Sequence, residues 1–255
     1  MKTALFVAWR NNDDIHRGWG PVGRLEHEDG IFRFFYTRGA RQLNGFRPFP
    51  GMADFNQIYE SNELFPLFAN RLLSPKRPDY ENFLRWGGFS LGSQPDPIHI
   101  LGVTEGKRAT DSVEVFPCPI PDNGCYMNKF FLHGVRWMFQ GVQDRIAQLN
   151  SDERLYLMPD IQNQYDANAV AVRTSDDRAM IGYVPRYLAH DVRKLFDDCD
   201  LNFIQLHVHQ VNLDAPLQQR VLCRMRACWP DGFEPCSTED FHPIPIGVST
   251  GCSQS

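Results

Sequence analysis

The chain has no run of about 18 or more apolar residues, so it offers no transmembrane helix. It has no excess of positive charge. The 26 Lys and Arg face 31 Asp and Glu, and a net −5 exerts no general pull toward nucleic acid or an anionic membrane. The seven cysteines (Cys118, Cys125, Cys199, Cys223, Cys228, Cys236, Cys252) are odd in number and lack C-x-x-C spacing. That pattern argues against a disulfide framework and predicts reduced thiols in a cytoplasmic protein. No internal repeat is present. After Pro117 there is neither a glycine-rich phosphate loop nor a paired Asp/Asn catalytic segment.

Metal and nucleophile chemistry are equally poorly supplied. His207 and His209 alternate on a predicted strand and share a face, but Cys223 and Cys228 differ in parity and should point to opposite faces. The set matches no zinc spacing, and no metal or other cofactor is expected. A Cys125–His133 nucleophile pair would need an orienting third group and an oxyanion hole, and the sequence signals neither. The expectation is a protein that is not an enzyme.

What is present divides into two parts, for which 255 residues give ample length. Residues 1–10 have too short an apolar stretch and no small-residue cleavage site for a signal peptide, and read as a first strand at 3–9. Strands are predicted at 22–25 and 31–36, joined at the Asp29-Gly30 turn. Apolar residues Leu64, Leu67, Phe68 and Leu72 have helical spacing, with Pro66 marking the regular start. Pro78 opens a helix over 79–86 that Gly87-Gly88 stops, Asp96-Pro97 opens another over 98–103, and 110–117 reads as a strand. Proline-rich 117–124, ending in Asn123-Gly124, reads as a hinge. Beyond Pro230 the composition shifts to Ser, Thr, Pro and Gly. Phe233, Phe241 and the Pro243–Ile246 run are placed to pack back, and the end from about Ser249 is expected to fray.

The most informative stretch follows. Apolar Leu155-Tyr156-Leu157-Met158 leads into polar Asp160 to Asn168, and Ala169-Val170-Ala171-Val172 leads out. Asn and Asp hold turns through their own side chains, so a strand, a polar loop and a strand are predicted. Asp176-Asp177 makes a second turn, and Met180-Ile181-Gly182-Tyr183-Val184 is the next strand. Pro185 suits the first position of a helix whose stripe is Leu188, Val192, Leu195 and Phe196. The 163–168 loop then lies near the strand-to-helix junction at 183–186.

With Gly134-Val135-Arg136-Trp137 upstream, Asn163-Gln164-Tyr165-Asp166-Ala167-Asn168-Ala169-Val170 and Ile181-Gly182-Tyr183-Val184-Pro185-Arg186 resemble the HIRAN domain, a small β-barrel related in architecture to OB folds. The resemblance spans roughly Lys129 to Pro230. It implies a pocket for the 3′ end of single-stranded DNA. Arg136 and Arg186 would contact phosphates, where a guanidinium suits two acceptor oxygens. Trp137 and Tyr165 would stack on exposed bases, with Tyr183 as a further aromatic face. Asp166 would accept a hydrogen bond from a free 3′-OH and repel a 3′-phosphate. Asn163 would shape the loop or bind the sugar. Met138 stands where the family often has an aromatic. Residues 129–231 hold twelve Lys and Arg against thirteen Asp and Glu, which suits capture of one or two terminal nucleotides, or a protein partner, better than tracking a long backbone.

The earlier segment resembles, more loosely, the N-terminal subdomain of HipA-type kinases. The resemblance is carried by Val22-Gly23-Arg24-Leu25, Phe35-Tyr36, the 64–73 segment and Leu101-Gly102 before Glu105-Gly106. It implies a docking or regulatory unit without the kinase body. The expected organisation is an α+β protein: a HipA-like domain at 1–118, a proline-rich linker at 119–128, a HIRAN β-barrel at 129–232 and a tail at 233–255. The expected function is non-enzymatic capture of single-stranded DNA 3′ ends in a bacterial cytoplasm, with residues 1–118 docking a kinase, helicase or nuclease. The alternative is a toxin–antitoxin or phage-defence regulator that binds a protein without DNA.

Overall fold

The computed structural model describes residues 2–11, 18–90, 92, 94–108, 110–176 and 178–244. They form an α+β protein of two compact units. One takes the described residues of Met1–Leu72, Glu105–Cys118 and Ser237–Ser255, the other Leu73–Thr104 and Pro119–Cys236.

The first unit is built on strands β1 (Thr3–Arg10), β2 (Trp19–Glu28), β3 (Ile31–Tyr36), β4 (Tyr59–Ser61) and β5 (Val113–Pro117). They pair antiparallel in the order β4-β3-β2-β1-β5. Asp29 and Gly30 have φ of 52° and 79°, the left-handed pair that matches a tight hairpin to strand twist. Two one-turn helices accompany the sheet, α1 (Gly39–Gln42) and α2 (Pro66–Ala69). Pro66 starts α2 as its position predicts. The helix ends early because the chain turns to send Arg71 into the interior, where its guanidinium donates to the carbonyls of Gly106 and Val113 and to Asp111. Leu25, Phe34, Tyr36, Phe68 and Phe116 fill the core. Phe241 packs edge-on against Phe6, and Ile244 is buried with its N–H donating to the Tyr36 carbonyl. The chain therefore packs back as far as residue 244; Pro245, Ile246 and the segment expected to fray lie outside the described residues.

The second unit begins with helices α3 (Tyr80–Trp86) and α4 (Pro97–Thr104). After β5 come β6 (Pro121–Asp122), β7 (Cys125–Phe131) and α5 (Gln140–Ala147). Then follow β8 (Arg154–Pro159), β9 (Val170–Arg173), β10 (Met180–Tyr183), α6 (Arg186–Asp198), β11 (Gln205–Val211) and β12 (Val221–Cys228). Their order is β10-β9-β8-β11-β12-β7-β6, antiparallel throughout. The two ends meet beyond β7, where His133 and Tyr183 exchange N–H···O=C bonds of 2.9 Å each and close the sheet on itself. Gly182 makes that closure possible: a Cβ there would lie 2.8 Å from the His133 carbonyl oxygen.

Three sequence expectations change. Residues 121–128, read as part of a linker, are instead in the β6–β7 hairpin. Asn123 and Gly124 have φ of 50° and 74°, so this dipeptide makes a hairpin turn and does not loosen a hinge. Residues 73–104 pack with the second unit and not the first. Their attachment is polar and specific, with Arg85 on Asp214 and the Asn212 amide donating to the Trp86 carbonyl. Finally, Cys199 and Cys228 form a disulfide between the end of α6 and the end of β12. Reduced thiols were expected because the seven cysteines are odd in number and lack C-x-x-C spacing; the fold alone brings this pair, 29 positions apart, together. Cys125 and Cys223 are free.

Candidate nucleic-acid interface

The loop between β8 and β9 is built by its own side chains. The Asp160 N–H donates to the Ala169 carbonyl at 2.8 Å and closes the base. Inside, Asn163 Oδ1 accepts from the N–H groups of Tyr165 and Asp166 at 3.0 and 3.1 Å, while its Nδ2 donates to Asp160 Oδ2 at 3.1 Å. Asp166 Oδ1 accepts from the Asn168 N–H at 2.9 Å. These are local Asx contacts of the kind that hold a turn without a sheet ladder. Asn163 therefore shapes the loop, and its side chain is committed to that work. Tyr165 is thrown outward, 68% exposed, with Ile161 at 82%.

The strand-to-helix junction lies against this loop. The Tyr183 hydroxyl donates to Asp160 Oδ2 at 2.9 Å. Burial, then the hydrogen bond and the negative charge of Asp160, raise the Tyr183 pKa above its ordinary value and keep the phenol a donor. Pro185 occupies the N-cap of α6, one position earlier than predicted, and Arg186 is the first helical residue. That places Arg186 Nε 3.8 Å from Asp166 Oδ2, a loose pair in which the carboxylate is mostly sheltered and the guanidinium is part-exposed.

The third element follows the sheet closure. Gly134 has φ of 73° and caps a single 3-10 turn at residues 135–137, with a Tyr183 ring carbon 3.1 Å from where a Cβ would stand. Val135 is buried and anchors the turn. Arg136 and Trp137 project from it, the guanidinium carbon 4.7 Å from the indole centroid. Trp137 is 75% exposed and Phe139 is 89% exposed. A soluble surface rarely presents such aromatics side by side without a use for them.

The chain thus brings Asp166 to Arg186, and Tyr183 to Asp160 and Asn163, while the closure at His133 and Tyr183 sets the turn carrying Arg136 and Trp137 beside that junction. Two contributors were missed in the sequence. Asp160, the first polar residue after the apolar run, ties loop to junction. Phe139 supplies an exposed aromatic one residue beyond Met138, which stands where the family often has an aromatic.

Residues 126–225 match the model of the HIRAN domain family. This part of the chain is a HIRAN domain. It begins at the paired β7 and ends within β12. A solved protein from Lactobacillus plantarum is similar at 21% identity over 41% of this chain and 99% of its own, with a TM-score of 0.30. The HIRAN domain of human HLTF is similar at 17% identity over 42% of this chain and 84% of its own, with a TM-score of 0.31. Among curated proteins nothing matches. Within the HIRAN domain Arg136, Trp137, Tyr165, Asp166 and Arg186 come from the three segments that carry the family resemblance, and Phe139 lies two residues beyond the first of them.

Proposed function

We propose that the HIRAN domain captures the 3′ end of single-stranded DNA and that the protein acts by binding, not by catalysis. One observation supports this most: a sheltered carboxylate, Asp166, sits 3.8 Å from the Arg186 guanidinium beside the outward-facing Tyr165. A terminal nucleotide needs these three chemistries. A 3′-OH donates to a carboxylate, the adjacent phosphate takes a guanidinium, and the base takes an aromatic face. Arg136 and Trp137 extend the same chemistry to the next nucleotide, and Phe139 stands in for the aromatic absent at Met138. Each stacked base contributes about 1–3 kcal/mol. Asn163 and Asp160 act indirectly by holding the loop and the Tyr183 ring in place.

The carboxylate makes the reading selective. A 3′-phosphate would bring like charge against Asp166, so the same site that accepts a hydroxyl end rejects a phosphorylated one. Fluorescence polarisation with short strands ending in 3′-OH or 3′-phosphate tests this. The 3′-OH strand should bind at least tenfold more tightly, and Asp166→Ala should abolish the preference. Equal binding of both ends, or binding indifferent to Asp166→Ala and Arg136→Ala, overturns the proposal.

For the first unit we infer a docking role in the cytoplasm, supported by its resemblance to the HipA-type regulatory subdomain and by its separate core. Affinity capture with the full chain should recover a partner that is lost when the first unit's surface is altered.

A further inference from the structure

The outer face of the HIRAN sheet carries a row of nitrogen bases that the end pocket does not use. Strand register sets it out directly: Lys129 on β7 is opposite Arg224 on β12, Arg224 is opposite His207 on β11, and His207 is opposite Arg154 on β8. Four neighbouring strands thus place basic side chains at one level, spanning about 14 Å at the usual strand spacing. Arg226 repeats the pattern one step along β12, and His209 stands 3.2 Å from Lys129 Nζ. Asp152 meets the row through Arg224 at 3.1 Å, and Asp122 lies near Arg226.

A cross-strand row of like charge is unfavourable in itself. The molecule shows the effect. Burial first, then the charges of Arg224 and its neighbours, hold Lys129, His207 and His209 below their ordinary pKa values. At the edge of the row lies an aromatic platform. Tyr156 has the Arg173 guanidinium carbon 4.8 Å and that of Arg154 5.7 Å from its ring centroid. Those two arginines donate to the backbone carbonyls of Thr174 and Ile204. Alternation along β8 puts Arg154, Tyr156 and Met158 on the same face, and β8 runs directly into the 160–168 loop. Tyr156 and Met158 are both exposed.

We propose that this face binds the sugar-phosphate backbone of a single strand, 5′ of the nucleotide captured by the end pocket. The cation row takes successive phosphates, and Tyr156 stacks a base between them. A row of this width serves a few nucleotides, not one. This differs from the expectation drawn from net charge: twelve cations against thirteen anions is a balanced total, yet the sheet gathers several of the cations on one side. The proposal rests on the end-capture reading for the polarity of the strand, but its electrostatic content is tested separately.

The test uses the full chain and fluorescent oligo-dT of 4 and 20 nucleotides, each ending in 3′-OH or 3′-phosphate, titrated at several salt concentrations. The 20-mer should bind at least tenfold more tightly than the 4-mer. The K129Q/R224Q/R226Q variant should lose that gain, and its log-affinity against log-salt slope should fall by about 2, at about 0.7 per phosphate contact. Tyr156→Ala should cost about fivefold on the 20-mer. Charge-preserving K129R/R224K/R226K should behave as wild type, which separates charge from folding. No gain with length, a gain untouched by the glutamine variant, or full competition by poly-glutamate would overturn the proposal. Retained 3′-OH preference with no length gain removes this face and leaves the end pocket. A length gain that depends on these cations, with no end preference, removes the end pocket and leaves the face.

Discussion

In the first unit the cations meet carboxylates. Arg71 pairs with Asp111, Lys107 with Glu105 and Glu114, and Arg24 and Lys2 with Glu26. In the HIRAN domain Arg136 lies on Trp137, Arg154 and Arg173 flank Tyr156, and Lys129 faces His209. Arg85 and Arg145 of the second unit do have carboxylate partners, as do Arg186 with Asp166 and Arg224 with Asp152, so the contrast is one of degree and rests on Arg136, Arg154, Arg173 and Lys129. Cations already neutralised within the fold contribute to stability and have little left for a ligand. Cations resting on rings and carbonyls keep most of their charge available to an incoming phosphate. The two units should therefore respond oppositely when a cation is removed.

Arg71 gives the largest expected effect. Its side chain is 1% exposed and serves two carbonyls and Asp111, so Arg71→Met leaves buried acceptors without donors. Unfolding in denaturant should show a loss of about 3 kcal/mol or more, with DNA binding at low temperature unchanged. Next is Gly182→Ala, which drives a methyl group against the His133 carbonyl at the point of barrel closure. A loss of about 2 kcal/mol is expected by the same measurement, with weakened binding because Tyr183 moves.

Arg136→Ala inverts the pattern. Affinity for a 3′-OH strand should fall about tenfold, equivalent to about 1.4 kcal/mol, while the melting temperature stays within a degree or two. If the melting temperature collapses instead, the contrast between the surfaces is broken. Tyr36→Phe comes next at about 1 kcal/mol, since the hydroxyl both accepts from the Phe49 N–H and donates to the Met52 carbonyl at 2.7 Å. It also has a pH signature. Burial pushes the Tyr36 pKa up to about 12, so its contribution is present below the ordinary tyrosine value of about 10 and is lost as pH rises through the raised one. Ultraviolet titration should show a late-ionising tyrosine that Tyr36→Phe lacks. The smallest effect belongs to Lys2→Ala: Lys2 is exposed and the sheltered Glu26 keeps Arg24 as its partner, so stability should change by less than about 0.5 kcal/mol.

Much of the site was legible because it is local. The Asn163 and Asp166 side chains accept from backbone N–H groups two or three residues further on, so their spacing alone implies the loop. The β10–α6 junction was equally readable, from Gly182 through Pro185. Where the reading failed, nonlocal pairing was at work. The Asn123-Gly124 signal was present but was outweighed by the prolines around it, and only the pairing of Pro121 with Tyr126 reveals a hairpin. The 73–104 segment gives no sign in sequence that Trp86 and Arg85 will meet Asn212 and Asp214, more than 120 positions away.

Neighbours along the chain were enough to set the α+β class, the strand and helix types on either side of the polar loop, and the three segments that carry the family resemblance. Short-range hydrogen bonds and side-chain periodicity depend only on neighbours along the chain. Tertiary structure alone decided the barrel closure at His133 and Tyr183, the Cys199–Cys228 disulfide and the row from Lys129 to Arg154. Each joins residues far apart in sequence, and register between strands is set by the packing of the whole sheet. A net charge counts residues wherever they lie; only the fold determines which of them stand side by side.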